Sequence, residues 1–294
     1  MIEGRLEANG GVILINPAGI TVTKSGVVNV NTFIGSTHDI TDDEFLKGGA
    51  LNFKGTSDAS VENLGTIHAE TGDIALIART VRNEGTLSAR KGVVGLAAGD
   101  EVLYQPNAEE RLLVKSQTAS ASSIHHSGSI QAAAAEIKAA GNPYAVAINL
   151  DGIVEARGNA TRNIKPRVIV HAAQGDIKVG STAAISAADE NSGGLVKIRA
   201  ATGNLQLDGK VAANSSMDNG GKGGEIQILG NTITLSGTAL LDASGATGGG
   251  KIFVGGDYEG GANPPNNYAS EPLQNASTLK IDKGAVMNLS LIHI

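Results

Sequence analysis

The chain has 294 residues, with 41% hydrophobic residues, 40 Gly, 3% aromatics, no Cys and a formal net charge of −6. That composition excludes disulfides and thiolate metal sites, a membrane-spanning helix for want of a long apolar run, and, with no basic stripe, a nucleic-acid partner. A core short of aromatics must be built from Ala, Val, Ile and Leu, which suits a narrow interior better than a rounded one.

In chain order, Ile2-Glu3-Gly4-Arg5 shows no signal-peptide pattern and reads either as the middle of a longer protein or as a protease tag. An apolar strand, Gly11-Val12-Ile13-Leu14-Ile15, runs into Asn16-Pro17-Ala18-Gly19. Pro followed by Gly at that spacing predicts a β-turn. Asp39 to Gly49 mixes acidic and apolar residues and reads as a loop.

Repetition starts beyond it, and repeats decide architecture before anything else does. Asn63, Gly65-Thr66-Ile67-His68-Ala69 and Gly72-Asp73-Ile74-Ala75-Leu76-Ile77-Ala78 return 20 residues later. The second copy is Asn83, Gly85-Thr86-Leu87-Ser88-Ala89 and Gly92-Val93-Val94-Gly95-Leu96-Ala97-Ala98. Tyr104 to Ser123 interrupts the rhythm and is expected to protrude as a loop or hairpin. The unit resumes at Gly128-Ser129-Ile130-Gln131-Ala132. There the run Ala132 to Ala135 favours helix by propensity, but its place in the repeat predicts strand. Further copies begin at Gly152, Ala184, Gly209 and Leu240. Gly255 to Ala276, rich in Gly, Asn and Pro, is a second expected protrusion, and Leu289 to Ile294 lacks a glycine corner and reads as a truncated end.

Within each unit, apolar residues alternate with polar ones, as in Ile226-Gln227-Ile228, which is the period of a strand. A self-similar unit of roughly 20–28 residues is too poor in Leu for leucine-rich repeats. It is too regular for a sandwich and too poor in aromatics for a membrane barrel. The fold class expected is all-β: a single-stranded right-handed parallel β-helix, a solenoid of roughly 11–13 coils and about 50–60 Å, with protruding loops or hairpins.

Leu6 to Ile20, with its Asn16-Pro17-Ala18-Gly19-Ile20, resembles the secretion domain of two-partner-secretion exoproteins, the filamentous haemagglutinin family. Ala18 stands where that family has a second Asn. Ser36-Thr37-His38-Asp39-Ile40-Thr41-Asp42-Asp43-Glu44-Phe45 resembles a second stretch of the same family, and Tyr104 to Lys115 is similar to its extra-helical hairpin. Gly220-Gly221-Lys222-Gly223-Gly224-Glu225-Ile226, Leu241-Asp242-Ala243-Ser244-Gly245 and Gly255-Gly256-Asp257-Tyr258-Glu259-Gly260-Gly261 look like modules of large haemagglutinin-like exoproteins. The resemblance implies a truncated secretion domain over 1–160 and continuing shaft repeats over 161–294. It implies a secreted, cell-surface adhesin-like protein and, as partner, a cognate outer-membrane β-barrel transporter. Host or neighbouring cells would be met through distal regions. It also implies transporter recognition at Asn16, Pro17, Gly19 and Ile20, with no cofactor and no small-molecule substrate.

The residues offer little chemistry of their own. Asp39, Asp42, Asp43 and Glu44 are the densest acidic group, and they read as a solvated loop rather than a catalytic pair. Gly220 to Gly224 leads into a strand, where a phosphate-binding loop would open a helix. His125 and His126 are adjacent, so a strand points them to opposite faces, and no metal site is expected there. The chain is therefore read as no enzyme. The alternative is a carbohydrate-active or carbohydrate-binding β-helix, which a groove lined by three or more carboxylates would favour.

Overall fold

The computed structural model describes residues 1–115, 121–189, 191–215, 221–261, 269 and 271–289. It is a parallel β-helix of triangular section, wound in the right-handed sense that parallel crossovers take. One face is a sheet of nine strands running from Ile20–Val22 to Thr278–Ile281. The other two faces merge into a sheet of 17 strands, because Thr86–Ala98 and Ser129–Ala139 each bend around the corner between them.

The repeat seen in the sequence is the register of the sheet. Leu87 pairs directly with Ile67, and Val94 with Ile74. On the first face Ile20, Val61, Val81, Ile124, Ile148, Ile177, Leu205, Ile233 and Leu279 lie one above another. On the second, the stack runs from Leu6 through Val28, Ile67, Leu87, Ile130 and Val154 to Met287. The inward residues of all three faces form one continuous aliphatic column. No coil closes its own apolar face, so stability comes from each coil covering its neighbour.

Glycine marks the corners because coils touch there through backbone. A Cβ on Gly85 would sit 2.1 Å from the Gly65 carbonyl oxygen, and one on Gly128 2.1 Å from that of Gly85. Ala132 to Ala139 is strand, as its place in the repeat predicts; alanine's helix propensity yields to the ladder on either side.

Two expectations change. The described residues make nine strands on the first face and ten on the second rather than 11–13, a column of about 40–45 Å at roughly 4.8 Å per coil. The difference lies in excursions from the column, among them residues 37–59, 99–115 and 157–166. The Asp39 to Gly49 stretch is also more than a loop, because Asp42–Lys47 is a short α-helix. Thr41 accepts from the Glu44 backbone N–H while the Glu44 carboxylate accepts from the Thr41 N–H, a capping box that the sequence carried in plain view. Asp42, Asp43 and Glu44 sit in its first turn, where the helix dipole favours anions.

The insertions build a second layer. Strands Glu101–Tyr104 and Leu112–Lys115 form the hairpin that the Tyr104 interruption predicts, and Leu51–Lys54 joins it as a third antiparallel strand. This small sheet covers the outer side of the third face. Phe53, Val102, Tyr104 and Leu112 pack there on Ile34, Ala75, Ile77 and Ala97. Ile74–Ala78 is therefore buried on both sides, which explains why it is apolar at every position. Of the Gly255 to Ala276 insertion, part lies outside the described residues. The rest includes a 3-10 turn, Tyr258–Gly261, and a return segment whose Gln274 accepts from Arg199 Nε at 3.0 Å. Of the expected truncated end, Leu289 to Ile294, residues 290–294 lie outside the described residues.

Candidate functional site

The turn at Asn16–Gly19 stands where the strand Gly11–Ile15 crosses to the first face. The Gly19 N–H donates to the Asn16 carbonyl at 2.9 Å. Ala18 keeps an ordinary negative φ, so this is a type I turn, with Asn, Pro and Gly at the first, second and fourth positions that each favours. The Asn16 side chain clasps it: Oδ1 accepts from the Ala18 N–H at 3.1 Å, and Nδ2 donates to the Gly19 carbonyl at 2.9 Å.

The exit is fixed as well. Gly19 has φ +104°, a region that favours glycine, and an added Cβ would meet the Ser60 carbonyl oxygen at 3.2 Å. Ser57 Oγ, from the first insertion, donates to the Pro17 carbonyl at 2.6 Å. The Asn16 N–H joins the ladder below through Ser36 O at 2.9 Å. Asn16, Pro17 and Ala18 are exposed, whereas Ile20 is 2% exposed and begins the aliphatic column. In the folded state the side chains of Asn16 and Pro17 are open to a partner, Gly19 shapes the bend, and Ile20 anchors it.

The other residues singled out in the sequence lie apart from this turn. His125 and His126 point to opposite faces, His125 exposed and His126 buried. His126 ends an internal ladder: Asn63 Nδ2 donates to Asn83 Oδ1 at 2.8 Å, and Asn83 Nδ2 donates to His126 Nδ1 at 3.0 Å. With Nδ1 accepting, Nε2 carries the proton and donates to Ile153 O at 3.1 Å. Burial pushes the His126 pKa down against the effect of those bonds. The glycines from Gly221 to Gly224 form a corner before the strand Glu225–Leu229. Among the described residues no three His, Asp or Glu side chains come together as metal ligands.

Sequence reasoning missed a buried ionic cluster under the hairpin. Glu136 is fully buried; it accepts from the amides of Arg111 at 2.7 Å and Leu112 at 2.9 Å and pairs with Lys138 at 3.1 Å and Arg167 at 3.3 Å. Lys138 donates to the Leu112 carbonyl at 2.6 Å. Asp73, buried nearby, accepts from the Tyr104 hydroxyl and the Val93 N–H, each at 2.9 Å. These groups stitch the hairpin to four successive coils, those of Asp73, Val93, Glu136 and Arg167. The signal in the sequence was Glu136 and Lys138 flanking Ile137 in an otherwise apolar strand, a sign that the outward side is covered too.

Comparison with known proteins places this arrangement. The TPS secretion domain family matches residues 1–179. Among solved structures, the HMW1 secretion domain from Haemophilus influenzae superposes with a TM-score of 0.64 at 26% identity, covering 98% of this chain. The chain spans 66% of that protein's length. No curated protein matches.

Proposed function

The chain belongs to the TPS secretion domain family, and from that premise we propose that residues 1–160 bring it to a cognate outer-membrane β-barrel transporter, by way of the turn Asn16-Pro17-Ala18-Gly19. The observation that carries this reading is the turn itself: exposed side chains on a bend held by four hydrogen bonds and a positive-φ glycine. A rigid exposed turn offers a partner its shape without an ordering cost. Ile20, buried once folded, is open to the transporter only while the chain is still extended.

Residues 161–294 continue the rod as shaft, and the whole is a secreted, adhesin-like surface exoprotein. Nearest-neighbour stacking lets coils fold one on another as they emerge, and folding outside then opposes sliding back. The family is not a family of enzymes, in line with reading this chain as non-catalytic. A carbohydrate-active shaft would favour a groove of several carboxylates. The cavity of about 760 Å³ beside Arg157 and Asn159 is lined by one, Asp189.

Asn16→Ala tests the reading. It removes both side-chain bonds of an exposed turn and should cost about 1 kcal/mol of stability. Expressed in the source bacterium, the variant should accumulate in the periplasm, with the amount outside the cell down at least about fivefold. The circular dichroism of the purified protein should be unchanged. Export at the unsubstituted level would count against recognition at this turn.

A further inference from the structure

A cavity of about 420 Å³ at the tip of the hairpin has a cationic wall that the transporter reading does not use. Arg111, Arg162, Lys165 and Arg167 line it, against one acid, Glu109. Arg167 is the unusual member. Its side chain is 8% exposed, yet among the described residues its one hydrogen bond runs to Glu136 Oε1 at 3.3 Å. Its Nε is buried without a partner. Nor can Glu136 turn to serve it better, since its oxygens already take two backbone amides and pair with Lys138.

A guanidinium presents five donors in a plane and is best met by a forked oxyanion. Glu109 Oε1 lies 3.9 Å from Arg167 Nη1, beyond hydrogen-bond reach, and its side chain is 82% exposed. Arg111 is also nine-tenths buried, and its Nε has no hydrogen bond, although Asp73 Oδ2 lies 3.2 Å away. Arg162 is pinned at the rim by the carbonyls of Thr71 at 2.5 Å and Lys91 at 3.1 Å. Five cations (Arg111, Lys138, Arg162, Lys165, Arg167) stand among four acids, Asp73, Glu109, Glu110 and Glu136, an excess of one positive charge that grows when Glu109 swings away.

We propose that this cavity is a binding site for a tetrahedral dianion, sulfate or phosphate, held by Arg167 with Arg162 and Lys165, and that Glu109 is a resident competitor at its mouth. The positive excess favours an anion, and the partly met Arg167 supplies donors suited to its oxygens. A low-dielectric wall strengthens the attraction relative to an exposed lysine pair.

The test is a titration of the ¹⁵N-labelled chain with sodium sulfate, set against sodium chloride at equal ionic strength. Saturable amide shifts should be confined to Asn107–Arg111 and Arg162–Arg167. Glu109→Gln removes the competitor and should lower the half-saturating sulfate concentration about fivefold, whereas Arg162→Ala with Lys165→Ala should raise it about fivefold. These side chains lie at the rim, so thermal midpoints should hold. Arg167 itself is left intact, because removing it would strand the buried Glu136 charge. Shifts that are linear and equal in sulfate and chloride, or a Glu109→Gln titration identical to that of the parent, would overturn the proposal.

Discussion

At the scale of single residues, the tightest constraints fall where coils meet through backbone and where polar groups enter the column. Gly85→Ala forces a methyl into the Gly65 carbonyl at 2.1 Å, and neither backbone can yield without breaking ladder bonds. It should cost about 3 kcal/mol, read as a lowered urea midpoint at constant slope. The histidines make stability depend on pH. Burial lowers the pKa of His38 and His126, and burial together with the nearby Arg199 takes His171 to about 4. A histidine whose folded pKa lies below its unfolded value of about 6.5 takes up protons first in the unfolded chain, so acid favours unfolding. Stability should therefore be full above about pH 7 and decline as pH falls through 6.5 toward 4, by at most about 1.4 kcal/mol per pH unit for each histidine. Urea unfolding at pH 7 and pH 5 measures this, and His126→Asn, keeping the polar ladder without the titrating ring, should shrink the difference. An unchanged pH dependence would show that His126 contributes nothing to it.

The elements differ in how legible they were. The strands and their stacking could be read directly, because Gly65-Thr66-Ile67 and Gly85-Thr86-Leu87 share a spacing that only a solenoid turns into contact. The alanine-rich strand was legible from context alone. The helix Asp42–Lys47 was not foreseen: six residues give no helical period, and its signature is the capping pair Thr41 and Glu44. The third strand of the outer sheet, Leu51–Lys54, was missed because it pairs with residues about 50 positions away and repeats nothing. The ionic cluster beneath that sheet went unseen for a related reason, since Asp73, Arg111, Glu136 and Arg167 come from four distant segments. The Asn16 turn was legible as a turn, but Ser57, which ties it to the first insertion, was not. The cluster is where the hairpin is most vulnerable. Glu136→Ala leaves Lys138 and Arg167 without their buried carboxylate and should destabilise the protein by about 3–5 kcal/mol. Glu136→Gln, which keeps a hydrogen-bond acceptor, should cost less. A Glu136→Gln midpoint equal to the parent's would show that charge is not what holds the hairpin down.

For the whole molecule, everything follows from vertical neighbours. The column is one core, but its contacts are nearly all between a coil and the next, so the rod can grow by adding coils in order. That is the property a protein needs if it crosses a membrane as an extended chain and folds on the far side. A chain without cysteine also cannot be trapped by a disulfide before export, and it allows the stacking to be probed by adding two. His68 and Ser88 are direct register partners on adjacent coils, half-buried, with side chains on the outer side of the second face. Neighbouring parallel strands lie about 4.8 Å apart, within the Cα separation a disulfide spans. The decisive measurement is oxidation of the purified His68→Cys, Ser88→Cys protein, followed by mass spectrometry of its peptides and by urea unfolding. Near-complete closure of the 68–88 bond with stability retained, alongside a His68→Cys, Arg90→Cys control that stays reduced, is the result the stacked-coil account predicts. A 68–88 pair that stays reduced, or that closes no better than the 68–90 control, would contradict it.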